Sequence, residues 1–212
     1  MEQSTLFTAV VEGDFSSAPS EVEQLLNAGV TAQVILEEHL VPAMDEVGRL
    51  YDEGEYFVPE LMLSSRAMQE SMKLLDPVLK AGGVQKQGRV VIGTVSGDMH
   101  DIGKNLVASL LEGGGFDVTD LGVDVSPEKF VDAVRQSDGP VLVCLSALLT
   151  TTMPNMKRVI ESLAAAGLRD RTRVLIGGAP VTEAFANEIG ADGYSDSASA
   201  AVTLARATIA GM

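Results

Sequence analysis

The chain has 212 residues, of which 46% are hydrophobic and 21% are charged, a composition typical of globular proteins rather than disordered or fibrous ones. Its formal net charge of −15 disfavours binding to the phosphate backbone of a nucleic acid. The single cysteine, Cys144, excludes a disulfide within the chain and a metal site built from several cysteines, and we predict that it is a buried structural thiol.

Targeting signals are not evident in the sequence. No basic run or long apolar stretch occurs, and the acidic residue Glu2 stands where a signal peptide would carry positive charge. We therefore expect a cytoplasmic protein that has no membrane and no nucleic acid among its partners. The length indicates one or two compact units.

Helical periodicity, with almost no strand pattern, runs from residue 4 to about residue 81. After a short first helix, the capping-box pair Ser20 and Glu23 indicates that a second helix opens there, and Gly29 indicates its end. Apolar residues at helical spacing predict two longer helices, with Leu36, Leu40, Met44, Val47 and Tyr51 on the third and Leu61, Met62, Ser65, Met68, Met72 and Leu75 on the fourth. We expect Pro42 to kink the third helix, and the pattern as a whole predicts a small four-helix bundle.

From about residue 89 onward, short β-branched runs alternate with amphipathic stretches. Five strands are predicted, within RVVIGTV, FDVTDLGV, PVLVCLSALL, RVLIGGA and GYSD. Strands that alternate with helices imply a parallel sheet wound on both faces. We therefore predict an α/β protein, with the four-helix bundle in residues 1–84 and a Rossmann-like (flavodoxin-like), doubly wound, five-stranded parallel sheet in residues 85–212. The stretch AGGVQKQG, residues 81–88, is the predicted linker.

Ligands of such sheets bind beyond the C-terminal ends of the strands, which directs attention to the loop SGDMHDIGKN after the first strand. Gly97 and Gly103 enclose five residues where a Walker A loop has four, and Asn105 replaces its Ser or Thr. The dinucleotide motif G-x-G-x-x-G is also absent. Both nucleotide-binding interpretations are therefore excluded.

His100 remains as the chemically distinctive residue of this loop. Asp98 lies two residues earlier, and in an extended loop such side chains point the same way. A carboxylate that accepts a hydrogen bond from one ring nitrogen makes the other nitrogen a better metal ligand. One histidine cannot hold a bare metal ion, so the pattern favours a macrocycle that supplies the equatorial ligands.

These residues resemble the motifs of a known family. The pattern Asp98-x-His100-x-x-Gly103 is similar to the D-x-H-x-x-G signature of base-off, His-on corrinoid-binding domains. Downstream, Ser146-Ala147-Leu148 resembles the S-x-L element of that family and Gly177-Gly178 its G-G element. The helical segment MDEVGRLYDEGEYFVPELMLSS resembles the helical cap, so the resemblance covers nearly the whole chain. Within the superfamily, the two-domain length and the run SALLTTTMPNM are most similar to the small corrinoid proteins of methylamine, methanol and aryl-ether methyltransferase systems, which are related to the cobalamin-binding module of methionine synthase.

The resemblance implies a cofactor and roles for particular residues. His100 would ligate the cobalt of cobalamin or a related corrinoid from its lower face, with Asp98 as its proton-coupled partner and Thr152 extending this relay. Ser146 and Thr150 would hydrogen-bond the displaced nucleotide base. The residues expected at the cofactor are Asp98, Met99, His100, Asp101, Ile102, Gly103, Ser146, Leu148, Thr150, Thr152, Gly177 and Gly178. Helix capping by the threonines and simple turns at the glycines stay open as alternatives.

The function implied by the resemblance is that of a methyl carrier that is not catalytic alone. It would take a methyl group from a substrate-specific methyltransferase and pass it to a second methyltransferase through Co(I) and methyl-Co(III) states, with a reductive activase as a further partner. The cobalamin-binding subunit of a radical mutase and a B12-dependent sensor are the alternatives. Methylamines, methanol, aryl methyl ethers and betaines all stay open as methyl donors. Phe57, Leu61 and the nearby methionines are predicted to form the bundle core. The resemblance leaves open the alternative that they shield the upper face of the cobalt from water, as the cap does in related proteins.

Overall fold

The computed structural model describes residues 4–81 and 86–212. The chain forms two compact units, one of residues 1–86 with 109–115 and the other of residues 87–108 with 116–212. The predicted boundary between residues 84 and 85 lies outside the described residues, as do residues 82–85 of the predicted linker. Within the described parts of the chain, no helix is both long enough and apolar enough to span a membrane.

The first unit confirms the predicted helical bundle. Within residues 4–81 it has four helical segments, the third of which consists of consecutive pieces. They are α1 Thr5–Val11, α2 Ser17–Asn27, then α3 Ala32–Ile35 with a π-helical turn Leu36–Leu40 and α4 Val41–Asp52, and finally α5 Val58–Ala81.

The start of α2 differs from the sequence-based prediction. The helix begins at Ser17, so Ser20 lies inside it and does not cap it. The side chain of Asp14 accepts hydrogen bonds from the backbone N–H groups of Ser16 and Ser17, at 3.1 and 3.0 Å. Asp14 therefore satisfies donors at the start of the helix, and the predicted capping box was wrong because this earlier acceptor extends the helix by one turn.

The irregularity expected at Pro42 takes the form of a π-helical turn. The N–H of Val41 donates to the carbonyl of Leu36, five residues back. In a regular α-helix the ring of Pro42 would collide with the carbonyl four residues earlier. The wider turn just before the proline removes this collision, and the helix continues as α4.

The apolar residues of α5 divide between core and surface. Leu61 and Met68 are buried, as predicted for the bundle core. Met62 in α5 and Phe57, which lies just before the helix, are however 67% and 65% exposed, so the prediction that they belong to the core was wrong. The stripe of apolar residues on this helix is wider than the face that the bundle covers, and sequence spacing alone does not show which of its edges is exposed.

The second unit confirms the predicted five-stranded parallel sheet. Its strands are β1 Arg89–Thr94, β2 Asp117–Asp120, β3 Val141–Ser146, β4 Thr172–Gly177 and β5 Gly193–Ser195. The helices between and after them are α6 Ile102–Gly113, α7 Pro127–Gln136, α8 Pro154–Ala165, α9 Glu183–Ile189 and α10 Ala198–Ala210, with a short 3₁₀ turn at Arg169–Arg171. The strand order is β2-β1-β3-β4-β5, and every pair is parallel.

The central strands β1 and β3 are almost fully buried because helices cover both faces of a doubly wound sheet. Cys144 lies in β3, where burial raises the pKa of its thiol to about 12. It is therefore the inert structural thiol that the sequence predicts. The strand order reverses between β1 and β3, and the loops that follow these two strands diverge from that point.

Candidate functional site

Two loops meet at the point where the strand order reverses. The first, residues 95–101, joins β1 to α6 and carries Asp98 and His100, and the second, residues 147–153, joins β3 to α8. The strands place them side by side, because Thr94 at the end of β1 is in register with Ser146 at the end of β3. This edge of the sheet is where doubly wound α/β proteins bind their ligands.

Asp98 connects the two loops. Its side chain is fully buried, and its Oδ2 atom accepts hydrogen bonds from the backbone N–H groups of Leu148 and Leu149, at 2.8 and 3.1 Å. The hydroxyl of Thr152 donates to the same oxygen at 2.8 Å. The other oxygen, Oδ1, accepts from the backbone N–H of His100 at 3.1 Å and lies 2.7 Å from its ring atom Nδ1.

These contacts determine the ionisation of Asp98. Burial opposes the charged form, but the hydrogen bonds from His100, Leu148 and Thr152 together outweigh it and hold the pKa of the Asp98 carboxyl well below its usual range. An ionised carboxylate only accepts hydrogen bonds, so Nδ1 of His100 must carry a proton. In the neutral ring, Nε2 is then the nitrogen with a free lone pair.

His100 is oriented but not enclosed. Its side chain is 52% exposed, and none of the described residues forms a hydrogen bond to Nε2. Its backbone carbonyl accepts a hydrogen bond from the buried hydroxyl of Thr94 at 2.8 Å. The ring is thus held from one side while the nitrogen that can bind a ligand faces outward.

The two loops also expose apolar side chains around this histidine. Met99 and Ile102 are 69% and 72% exposed on the first loop and the start of α6, and Leu148 and Leu149 are 43% and 41% exposed on the second loop. Exposed apolar side chains grouped in this way mark a binding surface. Asp101 is exposed as well, and its carbonyl accepts the N–H of Asn105 at 2.7 Å in the first turn of α6.

The threonines of the second loop do not cap the following helix. The residue at the start of α8 is Met153, and no side chain forms a capping hydrogen bond there. The Thr152 hydroxyl bonds Asp98 instead, whereas no described hydrogen bond joins the exposed Thr150 to Asp98 or His100. The simpler capping interpretation was therefore wrong for Thr152.

Ser146 and the glycine pair extend the site along the sheet edge. Ser146 is half-buried at the end of β3 and is in register with Gly177 at the end of β4. A Cβ atom on Gly177 would lie 3.1 Å from the carbonyl oxygen of Ser195. On Gly178, where φ is +129°, it would lie 2.0 Å from the carbonyl oxygen of Ala147. Only glycine fits at Gly178, because both its φ and this close backbone approach exclude a side chain.

Gly178→Ala is expected to lower the free energy of unfolding by more than about 2 kcal/mol. The methyl group would overlap a carbonyl of the second loop, and backbone cannot move aside as a flexible side chain can. Urea denaturation of the corrinoid-free protein measures the effect, with Gly139→Ala as the control. Gly139 also has a positive φ, of +73°, but a Cβ there would meet no atom within 4 Å. A loss at Gly178 no larger than that at Gly139 would contradict the predicted overlap with the Ala147 carbonyl.

Sequence reasoning missed several residues that support the loops. Lys104 is buried in α6 and forms an ion pair with Asp120 at the end of β2. Asn155 donates to the carbonyl of Ser96 at 2.7 Å, and Asp124 accepts from the N–H of Gly97 at 2.7 Å. Of these residues, only Lys104 could have been singled out from the sequence. A lysine in the first turn of a helix is electrostatically unfavourable unless a carboxylate lies close to it.

His100, with one nitrogen hydrogen-bonded to Asp98 and the other available, would suit a metal whose remaining ligands come from a cofactor. Within residues 4–81 and 86–212, no group of three or more His, Cys, Asp or Glu side chains could hold a metal ion. Gly103 adds a second indication, because its φ is ordinary and a Cβ there would meet no protein atom within 4 Å. Protein packing therefore leaves this glycine unexplained, and a large flat group close to the start of α6 would account for it. The residues present fit a macrocyclic metal cofactor.

Comparison with known proteins agrees with this geometry. Residues 88–203 match the family model of a B12 binding domain, and residues 3–76 match another B12 binding domain model. Dimethylamine corrinoid protein 3 of Methanosarcina acetivorans is 42% identical over 88% of this chain and 87% of its own length. Trimethylamine corrinoid protein 2 of Methanosarcina mazei is 39% identical over 95% of this chain and 93% of its own length.

Solved structures of cobalamin-binding proteins are also similar to this chain. A cobalamin-binding protein from Desulfitobacterium hafniense superimposes with a TM-score of 0.80 and 32% identity, covering 98% of both chains. A chain of the methanol:cobalamin methyltransferase complex from Methanosarcina barkeri superimposes with a TM-score of 0.84 and 33% identity, covering 98% of this chain and 79% of that one.

The fold and the site define a cofactor-binding α/β protein with an N-terminal helical unit. The chain belongs to the B12-binding family, and the resemblance to small corrinoid proteins that its motifs indicated is confirmed. Its cofactor is accordingly a corrinoid.

Proposed function

We propose that the chain is a methyl carrier that binds a corrinoid through His100 and exchanges a methyl group with two partner methyltransferases. The observation that carries the proposal is the pairing of a buried, ionised Asp98 with an exposed His100 whose Nε2 accepts no hydrogen bond from any described residue. The similarity to dimethylamine and trimethylamine corrinoid proteins, and to a methanol:cobalamin methyltransferase complex, supports the methyl-transfer context.

When bound, the corrinoid supplies a cobalt ion that can accept and release a methyl group. His100 would hold the corrinoid's cobalt through Nε2, and Asp98 would keep the proton on Nδ1 so that Nε2 stays available. The Thr152 hydroxyl holds Asp98 from the other loop and extends the relay.

Other residues of the two loops shape the surface against which the corrinoid lies. Met99, Ile102 and Leu148 present exposed apolar surface beside His100, and Asp101 lies exposed between them at the start of α6. Gly103 leaves the start of this helix open to close approach. These apolar side chains would exclude water from beside His100 when the corrinoid is bound, which would strengthen the electrostatic coupling between His100 and Asp98.

The nucleotide tail of a cobalamin would extend from this surface along the edge of the sheet. Ser146 and Thr150 supply hydroxyl groups near the ends of β3 and its loop, and Gly177 and Gly178 follow β4 without side chains. Hydroxyl groups can bond the displaced nucleotide base, and glycines leave room for the tail.

The proposed partners are a substrate-specific methyltransferase, an acceptor-side methyltransferase and a reductive activase, all in the cytoplasm. We infer that substrate choice resides in the methyltransferase partner. The similar proteins make methylamines the first donors to test.

The proposal is tested by reconstitution and label transfer. The full chain is loaded with hydroxocobalamin, desalted and reduced, then incubated with candidate methyltransferases and ¹⁴C-methylated donors, first di- and trimethylamine and then methanol. We expect stoichiometric corrinoid binding and label that stays with the loaded chain but not with the corrinoid-free chain. Failure to bind hydroxocobalamin would overturn the proposal, and binding without label transfer from any donor would direct attention to mutase or sensor partners.

Gly103→Ala is expected to weaken corrinoid binding about 10-fold, because the added methyl group would press against the macrocycle. The free energy of unfolding of the corrinoid-free protein should stay the same or rise by up to about 1 kcal/mol, since alanine favours the helix and meets no protein atom. Absorbance titration with hydroxocobalamin and urea denaturation measure the two effects. Unchanged affinity would show that the corrinoid does not approach this residue.

A further inference from the structure

Asp124 has an unusual backbone conformation next to the His100 loop. Its φ is +50°, and no other non-glycine residue in the described parts of the chain has a positive φ. Aspartate tolerates this region better than most residues, but the conformation is still costly and persists only where surrounding contacts stabilise it. Such residues cluster at functional sites, so the contacts of Asp124 are informative.

The segment that carries Asp124 runs beside the end of β1. Leu121 N–H donates to the carbonyl of Ile92 at 2.8 Å, Thr94 N–H donates to Gly122 at 3.0 Å, and Val125 N–H donates back to Thr94 at 2.9 Å. These bonds prolong the pairing of β1 with the β2 side of the sheet past the end of β2. The turn at Asp124 therefore faces the loop that begins where β1 ends.

Asp124 bonds that loop twice. Its Oδ1 atom accepts the N–H of Gly97 at 2.7 Å, and its own N–H donates to the carbonyl of Asp98 at 3.0 Å. Gly97 has a φ of +81°, so the loop turns sharply at the residue that the carboxylate holds. The backbone on both sides of the Gly97–Asp98 peptide bond is thus fixed by one residue from a neighbouring loop.

These two bonds act on the part of the loop that orients His100. The side chain of Asp98 can meet Nδ1 of His100 and the N–H groups of the second loop only if its backbone is placed correctly. Asn155 holds Ser96 and Thr94 holds the carbonyl of His100, so Asp124 supplies the anchor between them. Without the Asp124 carboxylate, the N–H of Gly97 loses this hydrogen-bond acceptor at the residue where the loop has a positive φ.

We propose that Asp124 is a positioning residue that acts through Gly97 and Asp98 to hold His100 ready to bind the corrinoid, an inference that rests on the function proposed above. The side chain and the backbone of Asp124 contribute separately. Substitutions that keep one contribution while removing the other can therefore identify the role.

The test compares Asp124→Gly with Asp124→Asn in the full chain. Glycine adopts a φ of +50° freely and keeps the N–H bond to Asp98, but it removes the acceptor for Gly97. Asparagine also tolerates this φ and retains an oxygen that can accept from Gly97, so it serves as the conservative rescue. Asp124→Ala is a second variant that lacks the acceptor, and Asp132→Asn, on the exposed surface of α7, controls for the loss of one negative charge.

The probe is cobinamide, a corrinoid without a nucleotide base, so that any axial nitrogen must come from the protein. Binding is followed by absorbance, coordination by the nitrogen splitting in the EPR spectrum of the Co(II) form, and folding by the melting temperature without cofactor. We expect Asp124→Gly and Asp124→Ala to bind about 10-fold more weakly and to lose part of the split signal. Asp124→Asn and Asp132→Asn should stay within about twofold of the wild type.

The outcomes separate this inference from the proposed function. Wild-type protein without nitrogen splitting would contradict the proposed function itself. If the wild type shows nitrogen splitting, and Asp124→Gly and Asp124→Ala show the same splitting and the same affinity, the positioning role alone is overturned. Equal loss of affinity in Asp124→Gly and Asp124→Asn, with both melting temperatures lowered, would also overturn it, because Asp124 would then serve folding rather than the placement of His100.

Discussion

Replacement of His100 by alanine is expected to abolish nitrogen coordination of a bound corrinoid and to weaken cobinamide binding by about 100-fold, at the upper end of what the loss of supporting groups costs at metal sites. Among the described residues, no group of three or more His, Cys, Asp or Glu side chains could hold a metal ion in place of His100. The EPR spectrum of Co(II) cobinamide, which has no nitrogen base of its own, measures the coordination directly.

Protein stability should change little in this variant. The His100 ring is half-exposed, and Asp98 keeps its hydrogen bonds to Leu148, Leu149 and Thr152 after the ring is removed. We therefore expect the free energy of unfolding of the corrinoid-free protein to fall by no more than about 1 kcal/mol. A lost EPR splitting can then be assigned to the missing ligand rather than to unfolding.

The chain contains a matched control for this experiment. His39 is its only other histidine, and it lies in the helical unit with its Nδ1 atom 2.8 Å from the hydroxyl of Ser4. His39→Ala should leave cobinamide affinity and nitrogen splitting unchanged. Retention of the splitting in His100→Ala would contradict the assigned ligand, and its loss in His39→Ala would show that the helical unit supplies it.

Asp98→Asn is expected to impair coordination almost as strongly although His100 is still present. The N–H groups of Leu148 and Leu149 and the Thr152 hydroxyl all point at one oxygen of residue 98. An asparagine must turn its own oxygen toward these donors, which leaves its NH₂ group facing Nδ1 of His100. The ring then favours the tautomer with the proton on Nε2, and that nitrogen can no longer bind cobalt.

The expected result is an about 10- to 100-fold loss of cobinamide affinity and a reduced nitrogen splitting. Stability should fall by about 1–3 kcal/mol, because the backbone N–H of His100 also loses its acceptor in a partly buried position. Asp132→Asn is the control, since its carboxylate is exposed and lies 3.4 Å from the guanidinium of Arg135, away from the two loops of the site. Coordination equal to that of the wild type in Asp98→Asn would contradict the tautomer argument.

The architecture could be predicted because its signals are local. Short β-branched runs separated by helical stretches indicated all five strands, and the parallel order followed from the alternation. The predictions that were wrong depended on interactions that the spacing of residues in the sequence does not reveal. The start of α2 differs because Asp14 accepts hydrogen bonds from the N–H groups of Ser16 and Ser17, ahead of the predicted cap at Ser20. Met62 in α5 and Phe57 just before it are exposed because the packed bundle covers only part of this region.

The centre of the site could be predicted for a similar reason, since Asp98 and His100 are two residues apart and their contact is local. The rest depended on register and backbone conformation. Thr94 meets the carbonyl of His100 only because of where β1 ends, and Asp124 reaches Gly97 only through a positive φ that its residue type permits but does not require. The role of Thr152 could be predicted only from the resemblance to a known family.

The hydrogen bonds that converge on Asp98 also constrain when the site can form during synthesis. Its acceptor oxygen is satisfied by residues 50, 51 and 54 positions later in the chain. As the chain emerges from the ribosome, the histidine loop must wait for β3 and the loop after it, a delay of several seconds at ordinary rates of translation. A nascent or truncated chain that ends before β3 therefore contains the whole D-x-H-x-x-G sequence but cannot hold its histidine in the ligating orientation. On this basis, corrinoid loading has to follow the synthesis of β3 and of the loop after it.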